Sequence, residues 1–284
     1  MKSNGRKKFV NEFPKHIQKA ILTYEPATVG GITLYPIRVE EYEDFAIARA
    51  AIDFMQQSLP VALLNMPILQ AYYRMDRESI RDERYPTGLF SRAVLFLVLA
   101  LRLGEGLKTE ERLRLMRAKT DPRDPMKLKS LVYTPDGEEI CEITPAKFQR
   151  MRPILAAQNG IRLQPEDANP ELVEAEEELR RQNAPELEAD IGTLVASVAA
   201  IIGTEEREIY DWPIAKLLAR QKAYQRMMDY VVCGIGEANG TKWKKGNPYP
   251  SPFFDRKKEG SAAMIALTDF AGGAALNAVS EGMK

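Results

Sequence analysis

Two sets of side chains in this sequence are of types that could do chemistry. Three carboxylates, Glu174, Glu177 and Glu178, fall on neighbouring turns of one helical stretch. Carboxylates grouped in this way can serve as general acid and base or hold magnesium. The segment around them has no histidine and no Asp-x-Asp-x-Asp-Gly pattern, so a solvated acidic face is the simpler reading. The second set is aromatic: Trp243, Tyr249, Phe253 and Phe254, in a Pro-rich stretch flanked by lysines. Aromatics on an extended segment can stack bases while lysines neutralise phosphates. They can equally anchor a protein interface, where Trp and Tyr are enriched, or fold back over the core.

Other catalytic equipment is sparse. The one histidine, His16, sits in a basic N-terminal stretch with no base or orienting partner near it in sequence. Cys141 and Cys233 are far apart and read as packing residues. No phosphate-cradling glycine loop, metal-ligand spacing or nucleophile elbow can be found. Catalysis near neutral pH usually recruits such groups. The expectation is therefore a non-enzyme without catalytic residues, metal or cofactor, working through its partner-binding residues: Glu174, Glu177, Glu178, Trp243, Tyr249, Phe253 and Phe254.

Composition is that of an ordinary globular protein, with 45% apolar and 28% charged residues in 284. Lys+Arg and Asp+Glu cancel at 40 each, so net charge argues for no class of partner. Charge is nonetheless blocky: basic over 1–19, acidic over 166–190 and basic again over 240–258. Such blocks bear on partners more than on fold. The longest strongly apolar run, Ala93–Leu101, is far short of the roughly 20 residues of a membrane helix. No apolar stretch follows the basic start as in a signal peptide. A cytoplasmic protein without membrane attachment is expected.

These features predict a mainly α fold. Ile32–Val39, after Gly30-Gly31 and interrupted by Pro36, reads as an edge strand. Helices are predicted over Glu40–Leu59, Pro67–Arg77 and Phe90–Leu103, the last apolar almost all round and so central to a core. Thr87 is the expected cap of that helix. Lys108–Ala118 reads as a charged, exposed helix, and Asp121-Pro122 with Asp124-Pro125 as a linker. The segment 131–143, centred on Asp136-Gly137, predicts a β-hairpin. Thr144-Pro145 opens a helix to Gln158, with Asn159-Gly160 as its left-handed exit. Asn169-Pro170 opens an acidic helix over 170–183, and Leu187–Ile202 reads as an amphipathic one. Thr204 caps a short helix and Asp211 a long one ending near Ala238. The organisation expected is a basic segment (1–30), a helical domain (31–120), a hairpin-plus-helical domain (128–240) and an extended tail (241–284).

Several of these stretches resemble proteins encoded in the tail-morphogenesis region of phages and prophages of Gram-positive bacteria. The resemblance lies in Leu34-Tyr-Pro-Ile-Arg-Val-Glu-Glu-Tyr-Glu-Asp-Phe45, Ile143-Thr-Pro-Ala-Lys-Phe148, Gln158-Asn-Gly160, Asn169-Pro-Glu-Leu172 and Tyr230–Lys242. It covers residues 32–245 through short structural motifs, none of them catalytic. The group it points to is the tail assembly chaperones. The resemblance implies a host-cytoplasmic protein that binds the tape-measure or tail-tube protein during virion morphogenesis, with a homo-oligomer as a further possibility. Two other classes stay open: a structural virion component such as a connector or tail-completion protein, and a single-stranded nucleic-acid-binding protein using the basic aromatic C-terminal segment.

Overall fold

The computed structural model describes residues 13–79, 88–135, 140–164, 169–183, 190–243 and 246–254. The elements run α1 (Lys15–Thr23), β1 (Ala27–Val29), β2 (Ile32–Leu34), α2 (Tyr42–Asp53), α3 (Ile68–Ser79), α4 (Leu89–Ala100), α5 (Thr109–Arg112), β3 (Met116–Asp121), β4 (Asp124–Tyr133), β5 (Cys141–Ile143), α6 (Pro145–Gln158), α7 (Pro170–Asn183), α8 (Ile191–Ile202), α9 (Glu206–Tyr210) and α10 (Ile214–Ala238). The fold is mainly α, with one two-stranded and one three-stranded antiparallel sheet.

The sequence of α4 dictates its place. Leu89 and every residue from Ala93 to Ala100 are buried, so the helix has almost no face to offer water and must be enclosed. α2 and α3 pack along it, with Phe45 of α2 against Phe96 at 6.0 Å between ring centroids. α6 closes over α2 and α3. One continuous apolar core runs from Ile17 in α1 through β4 and α6 to Leu217 in α10, crossing both of the segments predicted as helical domains.

The hairpin over 131–143 is present as β4 and β5, in the register Leu131↔Ile143, Val132↔Glu142 and Tyr133↔Cys141. Its expected turn at Asp136-Gly137 lies outside the described residues, as does the Thr87 cap. The edge strand is shorter than predicted: only Ile32–Leu34 pairs, with Ala27–Val29, across Gly30-Gly31. Pro36 stops that pairing. Beyond it the chain instead grips the start of α10, where Val39 N–H donates to Trp212 O (2.8 Å) and Ile214 N–H to Ile37 O (2.9 Å).

The exposed helix over Lys108–Ala118 is a correction. The helix-forming composition sustains one turn, Thr109–Arg112, opened by Lys108 N–H donating to Glu111 (3.0 Å). Arg112 then turns inward to Glu41 (3.3 Å) and Asp44 (3.0 Å), anchoring the turn to the start of α2. From Met116 the chain pairs with β4, and the residues read as a linker are the β3–β4 turn. Tertiary pairing overrides local propensity here. Two caps also differ. Glu205, not Thr204, precedes α9, and Pro213 rather than Asp211 precedes α10.

Side-chain amides and one guanidinium join the elements where backbone partners run out. Gln70 takes the place of a neighbouring strand, accepting from Leu128 N–H (2.7 Å) and donating to Met126 O (2.9 Å). Asn159 accepts from Ile37 N–H (2.8 Å), and Gln158 donates to Leu34 O (3.2 Å). Arg152 donates from Nε (3.1 Å) and Nη2 (2.8 Å) to Ile52 O, and also to Phe54 O, satisfying carbonyls at the end of α2. Burial pulls that guanidinium below its ordinary value, and hydrogen bonds to a charged donor are the stronger kind. Arg152→Met keeps the stem and removes these bonds. We expect it to lower stability by about 2–3 kcal/mol, read as a lower midpoint in urea with an unchanged slope.

Candidate partner-binding surfaces

α7 begins as its sequence dictates, with Asn169 Oδ1 accepting from Glu171 N–H (3.0 Å) and Pro170 in the first turn. Val173 is its buried residue, packed with Leu172 against Met55 just beyond α2. Glu174 and Glu178 are exposed, and the side chain of Glu177 lies outside the described residues. Gln182 donates to Glu178 (3.1 Å). Leu179, read as the end of an apolar stripe, is exposed.

The aromatic segment is placed by α10. The body holds the start of that helix, with Ile214, Ala215 and Leu217 buried and Leu218 packed against the core. Beyond Leu217 the one buried residue is Cys233. At the exit of α6, Gly160 (φ +71°) leaves room for Ala215 at 3.5 Å from where a Cβ would stand. The chain leaves the far end of α10 through Asn239-Gly240 and folds back. Thr241 N–H donates to Gly236 O (2.9 Å), and the Trp243 ring lies beside Gly236. Further along, Arg226 Nη1 donates to Phe253 O (3.1 Å), ten residues back down the helix from Gly236. The segment is thus a strap running antiparallel to α10.

Its four aromatics divide by exposure. Trp243 (37%) and Tyr249 (40%) are partly covered, while Phe253 (76%) and Phe254 (72%) project into solvent. Ser251 Oγ accepts from both Phe253 N–H and Phe254 N–H at 3.2 Å, a turn that presents the two rings together. The structure brings Trp243 and Phe253 onto one helix, and anchors the Glu174 helix through a different neighbour.

Along the rest of α10, Met227, Met228, Val231, Val232 and Ile235 are exposed. The available signal was spacing. Tyr224, Met228, Val231, Ile235 and Ala238 repeat at four and three residues, the narrow seam of a helix pair rather than the wider stripe of a core helix.

Several other groups of reactive type are placed as follows. A depression of about 480 Å³ is lined by Gln56, Met66, Gln149 and Arg150, among others. Gln149 donates to Gln56 (3.2 Å) and also accepts from Ile68 N–H (3.0 Å). His16 is exposed. Burial raises the Cys141 thiol and the Tyr72 phenol, and Tyr72 donates to Ala51 O (2.7 Å). Among the described residues no three His, Cys, Asp or Glu side chains stand together as metal ligands would. Among the described residues, too, no helix is long and apolar enough to cross a membrane.

No protein-family model matches the chain, and no curated protein or solved structure gives a significant match.

One buried carboxylate yields a pH test. Asp76 accepts from Phe90 N–H (3.1 Å) at the start of α4, while its other oxygen, Oδ1, is buried without a partner. Burial raises its carboxyl above the ordinary value, against the lowering pull of the α4 backbone N–H groups. A carboxyl raised in the folded state binds protons there before it does so unfolded. Its contribution to stability therefore grows as pH falls through the raised value and levels off below the unfolded one. Relative to Asp76→Asn, which cannot titrate, the parent chain should gain stability as pH falls through the carboxylate range. Urea melts of both at matched pH values read this directly, and a parent chain that holds level with or loses stability against Asp76→Asn as pH falls through that window rejects it.

Proposed function

We propose that this protein acts by holding another protein chain, as a tail assembly chaperone that engages a tape-measure or tail-tube protein during phage morphogenesis. The observation that carries the binding reading is the paired presentation of Phe253 and Phe254, both more than 70% exposed, on a turn fixed by Ser251 and Arg226. Two adjacent phenyl rings held out in water cost solvation in the free protein and return it on burial against a partner. The turn is ordered before binding, so less conformational entropy is lost when the partner arrives. The acidic face of α7, with Glu174 and Glu178 outward, adds a charged surface able to steer a basic segment. The identity of the partner rests on the resemblance in residues 32–245.

Co-expression with the tape-measure protein encoded beside this gene should give a soluble complex. Replacing Phe253 and Phe254 together by Ser should weaken that complex at least about tenfold, while the circular dichroism and melting of the free protein stay unchanged. Failure to form any complex removes the chaperone reading. Unfolding of the free double variant shows the rings to be part of the core and removes the surface. A tight, salt-sensitive complex with short single-stranded oligonucleotides, lost on Trp243→Ala, moves the function to nucleic acid.

A further inference from the structure

Among the described residues, the strap occupies one side of α10 and leaves the other exposed. At roughly 100° per residue, Arg226, Cys233 and Gly236 share the strap side. Tyr224, Met228, Val231 and Ile235 lie opposite, in line with Leu217, which is buried in the body. The open side is therefore the outward continuation of a seam that has already found its partner at one end. Its spacing of four, three, four and three is that of a two-helix coiled coil. We propose that it pairs with the same seam of a second copy of this chain, antiparallel, with Tyr224 of one copy opposite Ile235 of the other and Met228 opposite Val231.

Charge favours a second copy over a charged partner. Two identical helices repel each other when the positions flanking the seam are charged. Here those positions are Gln225, Met227, Val232 and Gly234, all uncharged. The charged residues of the same stretch, Lys222, Arg226, Asp229 and Glu237, fall on the strap side of the helix. Large residues meet large ones in this register, since each of its two symmetric layers pairs an aromatic or Met side chain with a branched one. Gly234 has nothing within 4 Å of where a Cβ would stand, and in the pair it comes opposite Met227 of the other copy, which needs that room.

The direction follows from where the body sits. Each body grips α10 at Ile214, Ala215 and Leu217, so parallel pairing in register would force two bodies into the same space at one end. Antiparallel pairing sends them to opposite ends and overlaps only the free stretches. About two heptads are available, less than a standard interface of roughly 1,600 Å² supplies. The helix is nevertheless pre-ordered by body and strap, and the resulting dimer should form on the order of micromolar concentration. This interface is separate from the Phe253–Phe254 surface and stands or falls without it.

Sedimentation of the full chain over about 1–200 μM should show a monomer–dimer equilibrium. Val231→Glu with Ile235→Glu should raise the dissociation constant at least about tenfold and leave helicity unchanged, because both side chains are already exposed in the monomer. Direction is read by oxidative cross-linking, with the parent chain as control for Cys141 and Cys233. A mixture of M228C and V231C chains should cross-link well above either variant alone. A monomer throughout the range overturns the proposal, as does a dimer indifferent to the double Glu variant. Equally efficient cross-linking of each Cys variant with itself overturns the antiparallel arrangement.

Discussion

The constraint on which the rest of the structure depends is the lack of a polar face on α4. A helix buried from Ala93 to Ala100 needs neighbours on every side, and like any helix it has two ends whose backbone groups lack partners within it. Both ends are met by groups from distant segments. Asp76, on α3, receives Phe90 N–H at the start. Tyr35 N–H donates to Ala100 O (2.7 Å) at the finish, which brings the β2 edge against the core. Covering the sides recruits α2 and α3, and satisfying the ends fixes where α3 and β2 must lie.

The same logic explains where many buried and half-buried polar side chains stand. Gln70, Gln149, Gln158, Asn159 and Arg152 each terminate a backbone group that the small sheets and short helices leave open. The Glu41–Asp44–Arg112 cluster does so for the α5 turn, with Arg112 Nε also donating to Gly104 O (3.3 Å). A buried unpaired donor or acceptor costs about 1–3 kcal/mol, so these side chains are fixed by the fold. Polar clusters in this molecule mark joints between elements.

Local signals carried much of the fold. Thr144-Pro145 starts α6 as its chemistry requires, with Thr144 Oγ1 accepting from Lys147 N–H (3.2 Å), and Asn169-Pro170 does the same work for α7. The all-apolar run announces α4. What local sequence could not show was β3, because Met116–Asp121 is extended only by virtue of pairing with a strand that follows it. The grip of Ile37–Val39 on Trp212–Ile214 is hidden for the same reason, joining segments far apart in the chain. The aromatic cluster was visible as composition. That Phe253 and Phe254 project while Trp243 lies against Gly236 depends on the strap's path, which only the fold determines.

The exposed part of α10 shows how function departs from the rule governing the core. Glycine in a helix interior costs roughly 0.5–1 kcal/mol against alanine. Yet the sequence places Gly234 and Gly236 there, and gives the free stretch exposed Met, Val and Ile side chains. Packing against the main core does not account for these choices, since its contacts with the helix end at Leu218. The strap accounts for some of them: Gly236 admits Trp243, and Cys233 is buried on the strap's side of the helix. It leaves Met228, Val231 and Ile235 on the opposite side, exposed among the described residues.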